Sequence, residues 1–266
     1  MKICYVSLFF DLDRGNWNSF KRSFDTYLMR FYPFIEMFKV LNLDYEMVLY
    51  MDKKHCDVLE RLITRGKTRI RLIPIDEAFI EEHFPLWKRL GKETEIMNSF
   101  YYKSLTSHRT KYPENTNPKY TMINHCKIDA IVHTIQHVLE SDYYLWIDFG
   151  YFDNPEFVTT NYIKLDKLDK TRINYSVRNK LTEKDVNLIR TIRIAPERMI
   201  GSFFFGSKDN MIKYQKIYYQ VHQFFHDIGI VDDDQHVSMI ACIKHPELFV
   251  LHHSPEWKSS LKYLST

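Results

Sequence analysis

The residues of this chain whose types and spacing could do chemistry are acids at the ends of apolar runs. Asp148 closes "LWI" (145–147) and is followed by Phe149 and Gly150, while Asp232, Asp233 and Asp234 stand side by side. A carboxylate at the carboxyl end of a buried strand stands where α/β sheets bind ligands. The plainer reading of "DFG" is a turn, since Asp and Gly both favour one. Asp11, Asp52 and Asp76 close apolar runs in the same way. Several strand ends lined with carboxylates point to one shared ligand-binding edge. The triple acid also has a plain reading, because like charges repel, stay solvated and suit a helix start, where the macrodipole favours them.

Those acids need strands and helices to bring them together. "KICYVSLFF" (2–10), "YEMVLYMD" (45–52), "RIRLIPID" (69–76) and "DYYLWIDFG" (142–150) read as buried strands from their β-branched and aromatic runs. A helix is predicted over 18–41, where Phe20, Phe24, Tyr27, Leu28 and Phe31 give one apolar face. Pro33 should kink or divide it. Helices are also predicted at 55–64, through much of 77–108, and as one long element over 121–140 after the Pro- and Asn-rich break at 111–120. From 151 to about 196 the signal is weak, with one helix at 182–192. "RMIGSFFFGSKDN" (198–210) reads as a strand that opens into a helix, which Gly229 should cap. The acids then start a short helix (231–245), and "PELFVLHH" (246–253) is the last strand. Alternating strands and helices imply right-handed crossovers and a mostly parallel sheet.

Composition bounds the function. A chain of 266 residues buries roughly three quarters of its unfolded surface as one domain. A net charge of +3 is too small to imply nucleic acid. With 7 glycines there is neither G-x-G-x-x-G nor a P-loop sequence. Cys4, Cys56, Cys126 and Cys242 are widely spaced, which suits reduced thiols in a cytoplasmic protein. Asp11, Asp13 and Arg14 interrupt the opening apolar run, so it does not read as a signal peptide. No run of about 20 apolar residues is long enough to span a membrane. His133 and His137 lack the Glu of a zinc-hydrolase helix, so they suggest no zinc site.

The order "FFDLDRGNW", "NPKYTMINHCKIDAI", "YYLWIDFGY", "GSFFFGSKDN" and "DDDQ" resembles the HtrL/YibB family over about residues 5 to 251. That family in turn resembles GT-A glycosyltransferases. The resemblance implies an α/β, GT-A-like (Rossmann-like) fold: a mixed, mostly parallel sheet flanked by helices. It implies one domain over 1–266, with a nucleotide-sugar half at about 1–150 and an acceptor half at about 151–266. The implied activity moves a sugar from a nucleotide-sugar donor, first of all a UDP-sugar, to a glycan, lipid or protein acceptor.

The resemblance also suggests roles. GT-A enzymes hold Mn²⁺ or Mg²⁺ with D-x-D at an internal strand end, hard cations preferring oxygen ligands. Asp148 matches the first acid, but Gly150 stands at the third position. Asp153 and His252 or His253 are then the nearest further ligands, with His252 preferred. Asp11 or Asp13 would meet base or ribose, Arg14 a phosphate, and Asp52 the base. An Asp-x-Asp turn and helix capping explain those acids as well. Lys127 would contact the donor, unless it is a solvated surface lysine. Asp233 or Asp234 would be the base that deprotonates an acceptor hydroxyl. Gly201 and Gly206 would admit a sugar closely. Gly150 also motivates a different reading, a non-catalytic carbohydrate- or protein-binding module. A nucleotidyltransferase ranks last, because "DLDRGNW" lacks a Gly-rich basic loop.

Overall fold

The computed structural model describes residues 1–40, 44–152, 167–254, 256, 257 and 260. In chain order its main elements are β1 (Ile3–Phe9), α1 (Phe24–Val40), β2 (Tyr45–Asp52), α2 (Cys56–Gly66), β3 (Ile70–Ile75), α3 (Glu77–His83), α4 (Leu90–Asn98), α5 (Phe100–Leu105), α6 (Pro118–His125) and α7 (Lys127–His133). There follow β4 (Tyr143–Ile147), β5 (Ile173–Val177), α8 (Leu188–Ile194), β6 (Met199–Ser207), α9 (Lys208–Asp227), α10 (Asp234–Lys244) and β7 (Phe249–His253).

All seven strands join one sheet in the order β3-β2-β1-β4-β6-β5-β7. Only β6 runs antiparallel to its neighbours; the other pairings are parallel. The carboxyl ends of β1, β2 and β4 therefore meet the amino end of β6 along one edge. Alternate side chains feed two cores. Tyr5, Met47, Leu49 and Leu145 pack under α1 and α2 with Phe31, Phe34 and Phe38. Cys4, Val6, Tyr50, Trp146 and Phe204 pack on the other face with residues of α6, α7, α9 and α10. Phe31, Phe34 and Phe38 are fully buried, each contributing roughly 1.5–3 kcal/mol.

Several expectations needed adjustment. The first helix starts at Phe24, after Phe20 reverses the chain with φ 55° and Ser23 Oγ accepts from Thr26 N. Pro33 lies within α1 without dividing it. The single helix over 121–140 is instead α6, α7 and a π-turn at Thr134–Val138. Tertiary contacts straddle the break, with His125 bonded to Tyr218 and Lys127 to Gly201. Thr134 Oγ1 bonds back to Ala130 O, a contact that bends helices. The 182–192 helix divides into a 3₁₀ turn at Glu183–Val186 and α8, which Asn187 caps. Gly229, at φ 72°, ends α9 in a Schellman motif: its N–H donates to His226 O, and that of Ile230 to Phe225 O.

Candidate functional site

Lys127 begins α7 and is buried there. Lys127 Nζ donates to Gly201 O at 3.0 Å and to Asp234 Oδ2 at 2.9 Å, and lies 3.2 Å from Asp148 Oδ1. The ammonium also stands 5.8 Å from the centre of the Trp146 ring. Trp146 Nε1 donates to Asp148 Oδ1 at 2.8 Å, which fixes that carboxylate at the end of β4. Asp234 is 7% exposed and Asp148 38%, so Asp148 is the carboxylate that meets solvent. Burial works against the Lys127 charge, but Asp148 and Asp234 outweigh it and hold the ammonium above the usual lysine range. Burial pushes the Asp234 carboxyl up to about 7, with Lys127 opposing and Asp233 and Asp148 adding to the rise.

Lys127, Trp146 and Asp148 of this centre line a cleft of about 180 Å³ together with Asp11, Arg14, Arg22, Tyr27, Tyr120 and Asn124 among others. Lys127 is matched by Asp148 and Asp234, and Asp11 contacts His55, so Arg14 and Arg22, which make no ion pair with another described residue, are the lining cations open to a ligand. That balance favours an anionic ligand at the carboxyl edge of the sheet. Arg14 is braced by Phe20 O at 2.9 Å and Tyr27 Oη at 2.8 Å, between the rings of Trp17 and Tyr120.

The other sequence candidates divide into those with local work and those elsewhere. Asp11 accepts from Asp13 N and contacts His55 Nε2 at 2.9 Å. Asp13 sits at φ 57° and accepts from Asn16, an exposed turn that does not line the cleft. Asp52 is buried behind Asp11, accepting from Asp11 N and capping the turn at Lys54 N. His252 is not brought to Asp148: β6 and β5 lie between their strands, and His252 Nε2 contacts Asn174 Oδ1 at 2.8 Å. His253 ends the same strand, and Asp153 lies outside the described residues. Gly201 meets Asp234, since a Cβ there would stand 2.4 Å from Asp234 Oδ2. At Gly206 a Cβ would meet Ile173.

The triple acid splits three ways. Asp234 turns to Lys127, Asp233 caps α10 through Gln235 N at 3.1 Å, and Asp232 is buried with His236 Nδ1 at 2.9 Å from its Oδ2. Asp233 faces a second cleft of about 390 Å³ that includes Arg109, Tyr112, Glu114, His236 and Trp257. Burial and the neighbouring Asp232 push Asp233 up to about 6. For Asp232 burial pulls upward, but His236 and Arg109 prevail and hold the carboxyl below its ordinary value. Burial opposes the charge on His236, yet Asp232 raises it to about 9. Tyr27 was read only as part of an apolar helix face, and Trp146, Tyr120, Arg109 and His236 were not singled out from the sequence. Only the last had a local signal, four residues beyond Asp232 on one helix face.

A family described as "Bacterial protein of unknown function (HtrL_YibB)" matches residues 1–264. Protein HtrL of Escherichia coli strain K12 is 22% identical over 258 residues, covering 93% of this chain and 86% of that protein. The crystal structure of mouse xyloside xylosyltransferase 1, apo form, aligns over 95% of this chain and 85% of its own, at 9% identity and a TM-score of 0.50. A 4-diphosphocytidyl-2C-methyl-D-erythritol synthase structure from Anaerococcus prevotii aligns at 9% identity and a TM-score of 0.46, too slight a likeness to argue from. With its mixed, mostly parallel sheet and flanking helices, this chain has an α/β, GT-A-like fold. Among the described residues no helix is long and apolar enough to cross a membrane.

Proposed function

The chain belongs to the HtrL/YibB family, and we propose that it is a glycosyltransferase, moving a sugar from a nucleotide-sugar donor to a glycan, lipid or protein acceptor. A UDP-sugar is the first donor to try. The observation that carries this reading is Lys127, held between Asp148 and Asp234 in the lining of a cleft that Arg14 and Arg22 also line. A leaving diphosphate develops negative charge, and fixed cations in a partly dry site stabilise that charge where it forms. Lys127 and Arg14 serve the diphosphate, and Tyr27 and Tyr120 give aromatic walls for the nucleoside.

Asp148 Oδ2 has no partner among the described residues, while its Oδ1 is fixed by Trp146 and Lys127. One open carboxylate oxygen fits Mn²⁺ or Mg²⁺, which commonly take one or two carboxylates together with substrate phosphates. When bound, such an ion neutralises charge on the leaving diphosphate. The missing second acid has a packing reason, because a Cβ at Gly150 would meet the Tyr27 ring at 2.9 Å.

Of the two acids considered for the base, Asp234 is committed to Lys127 and Asp233 faces the second cleft. Asp233 therefore takes the acceptor proton, its carboxyl raised to about 6 being well matched to that task. The donor then lies on the half formed by about residues 1–150 and the acceptor on the rest. Four free, buried cysteines suit a reducing, cytoplasmic setting.

The test is thermal stability against a panel of nucleotide sugars, with and without Mn²⁺. A cognate donor at a hundredfold excess over its dissociation constant adds about 2.7 kcal/mol. No shift with any nucleotide would overturn the transferase reading in favour of a carbohydrate- or protein-binding module.

A further inference from the structure

We propose that Asp232, Asp233 and His236 form a divalent-cation site, separate from the Lys127 cleft, that takes a first-row transition ion such as Zn²⁺, Mn²⁺ or Fe²⁺. One ligand atom from each of the three lies within 4.8 Å of the others. Asp232 Oδ2 and His236 Nδ1 are buried and only 2.9 Å apart, yet neither makes a hydrogen bond of acceptable geometry. An ordinary His–Asp pair would aim its N–H at the oxygen. Without an ion the two attract as charges, but the misaligned N–H leaves both atoms open to one. Tetrahedral ligands about 2.1 Å from one ion stand roughly 3.4 Å apart, a spacing that the 2.9 Å and 3.9 Å separations of His236 Nδ1 from the two acids bracket. Asp233 Oδ1, 3.9 Å from His236 Nδ1, closes the third side. The other side opens on the second cleft, where water or a sugar hydroxyl completes the shell.

Imidazole nitrogen with two carboxylates is a mixed N/O set, which suits these ions better than Ca²⁺. Both carboxylates are already partly fixed: Asp232 Oδ1 accepts from Asp233 N, Asp233 Oδ2 from Gln235 Nε2, and Asp233 Oδ1 from Gln235 N as the helix cap. Asp232 Oδ2 stays open, and Asp233 Oδ1 keeps the lone pair that its cap does not use. Arg109 NH1, 4.0 Å from Asp232 Oδ2, is held away by Ile192 O at 2.8 Å and by Glu114. Its charge weakens the site without occupying it. The buried trio Glu93, His222 and His226 offers three ligand atoms as well. There, however, His226 Nε2 is hydrogen-bonded to Glu93 at 2.6 Å, and Arg89 approaches His222 Nδ1, leaving the proton on Nε2. That trio is a satisfied polar network, not a site.

An ion on Asp233 also takes the lone pair that the transferase reading assigns to the acceptor proton, so Zn²⁺ slows transfer; this consequence alone rests on that reading. The site itself is tested on nucleotide-free protein by Co²⁺ titration, read as visible d–d absorption. The expected result is one equivalent bound by the native protein, at least about tenfold weaker binding in Asp233→Asn and His236→Gln, and unchanged binding in Asp148→Asn. Asp233→Asn keeps the helix cap, because Asn caps as well as Asp, so circular dichroism should stay native. No stoichiometric binding, binding indifferent to both substitutions, or binding lost in Asp148→Asn would each overturn the site. A site that binds Co²⁺ in a protein with no affinity for nucleotide sugars would overturn only the transferase reading.

Discussion

The Asp234 carboxylate lies so close over Gly201 that a Cβ on the glycine would stand 2.4 Å from Asp234 Oδ2. The contact explains a glycine in the middle of an otherwise apolar strand. It also lets Gly201 O and Asp234 Oδ2 hold the same ammonium of Lys127. Gly201→Ala is expected to lower stability by about 1–3 kcal/mol, the usual cost of overpacking, and to weaken donor-induced stabilisation by pushing Asp234 away from Lys127. Urea unfolding with and without donor checks both effects. Native stability in the alanine variant would show that the carboxylate moves aside freely.

Lys127→Met removes the cation between two acids and leaves Asp234 buried without a counter-charge. Breaking a buried pair on one side costs about 3–5 kcal/mol, whereas replacing both partners costs far less. Lys127→Met combined with Asp234→Asn should therefore be more stable than Lys127→Met alone, while both lose the donor response. A double-mutant cycle by chemical denaturation reads the coupling. Additive losses would mean that the two side chains do not share their charge.

The sheet was legible wherever the apolar runs were continuous. β1, β2, β4 and β6 follow from such runs because strands buried on both faces leave little polar interruption, whereas β3 was legible despite the exposed Arg71. β5 was not legible: "INYSV" carries Asn174 and Ser176, both buried. Asn174 is tolerated there because Asp169 O, Arg172 O and His252 satisfy its amide, partners that become visible only in the fold. In the site, the sequence suggested Asp148, Lys127 and the triple acid separately. Their meeting depends on β4 and β6 being neighbours, and no local spacing specifies that pairing. The three adjacent acids looked alike in sequence, but they are distinguished by Lys127, Gln235 and His236, each reached in a different direction.

His236 makes stability fall on the alkaline side. Its folded-state value of about 9 lies above its ordinary 6.5, mainly because Asp232 outweighs burial, with Asp233 assisting and Arg109 opposing. A raised histidine contributes fully below the unfolded value, and the contribution is lost as pH rises from about 6.5 through 9. The gap corresponds to at most about 3 kcal/mol. His236→Gln should flatten the stability profile between those values and leave the slope above pH 9.5 unchanged. Denaturation midpoints in metal-free buffer at intervals across that range test it. A variant with the native slope would show that His236 is neutral throughout.

Asp148→Asn separates binding chemistry from folding. Asn keeps an oxygen for Trp146 Nε1 to bond, so the loop geometry survives. Asp148 is 38% exposed, and solvent-screened ion pairs contribute only about 0–1 kcal/mol. The melting midpoint should therefore move little. If Asp148 holds a cation against the donor diphosphate, the substitution abolishes the Mn²⁺-dependent part of the donor shift. It then lowers the transfer rate by about 10²–10³, the range seen when one fixed charge-stabilising group is removed. A donor shift that keeps its full Mn²⁺ dependence in Asp148→Asn would place the ion elsewhere, and Lys127 and Arg14 would then be left to stabilise the diphosphate.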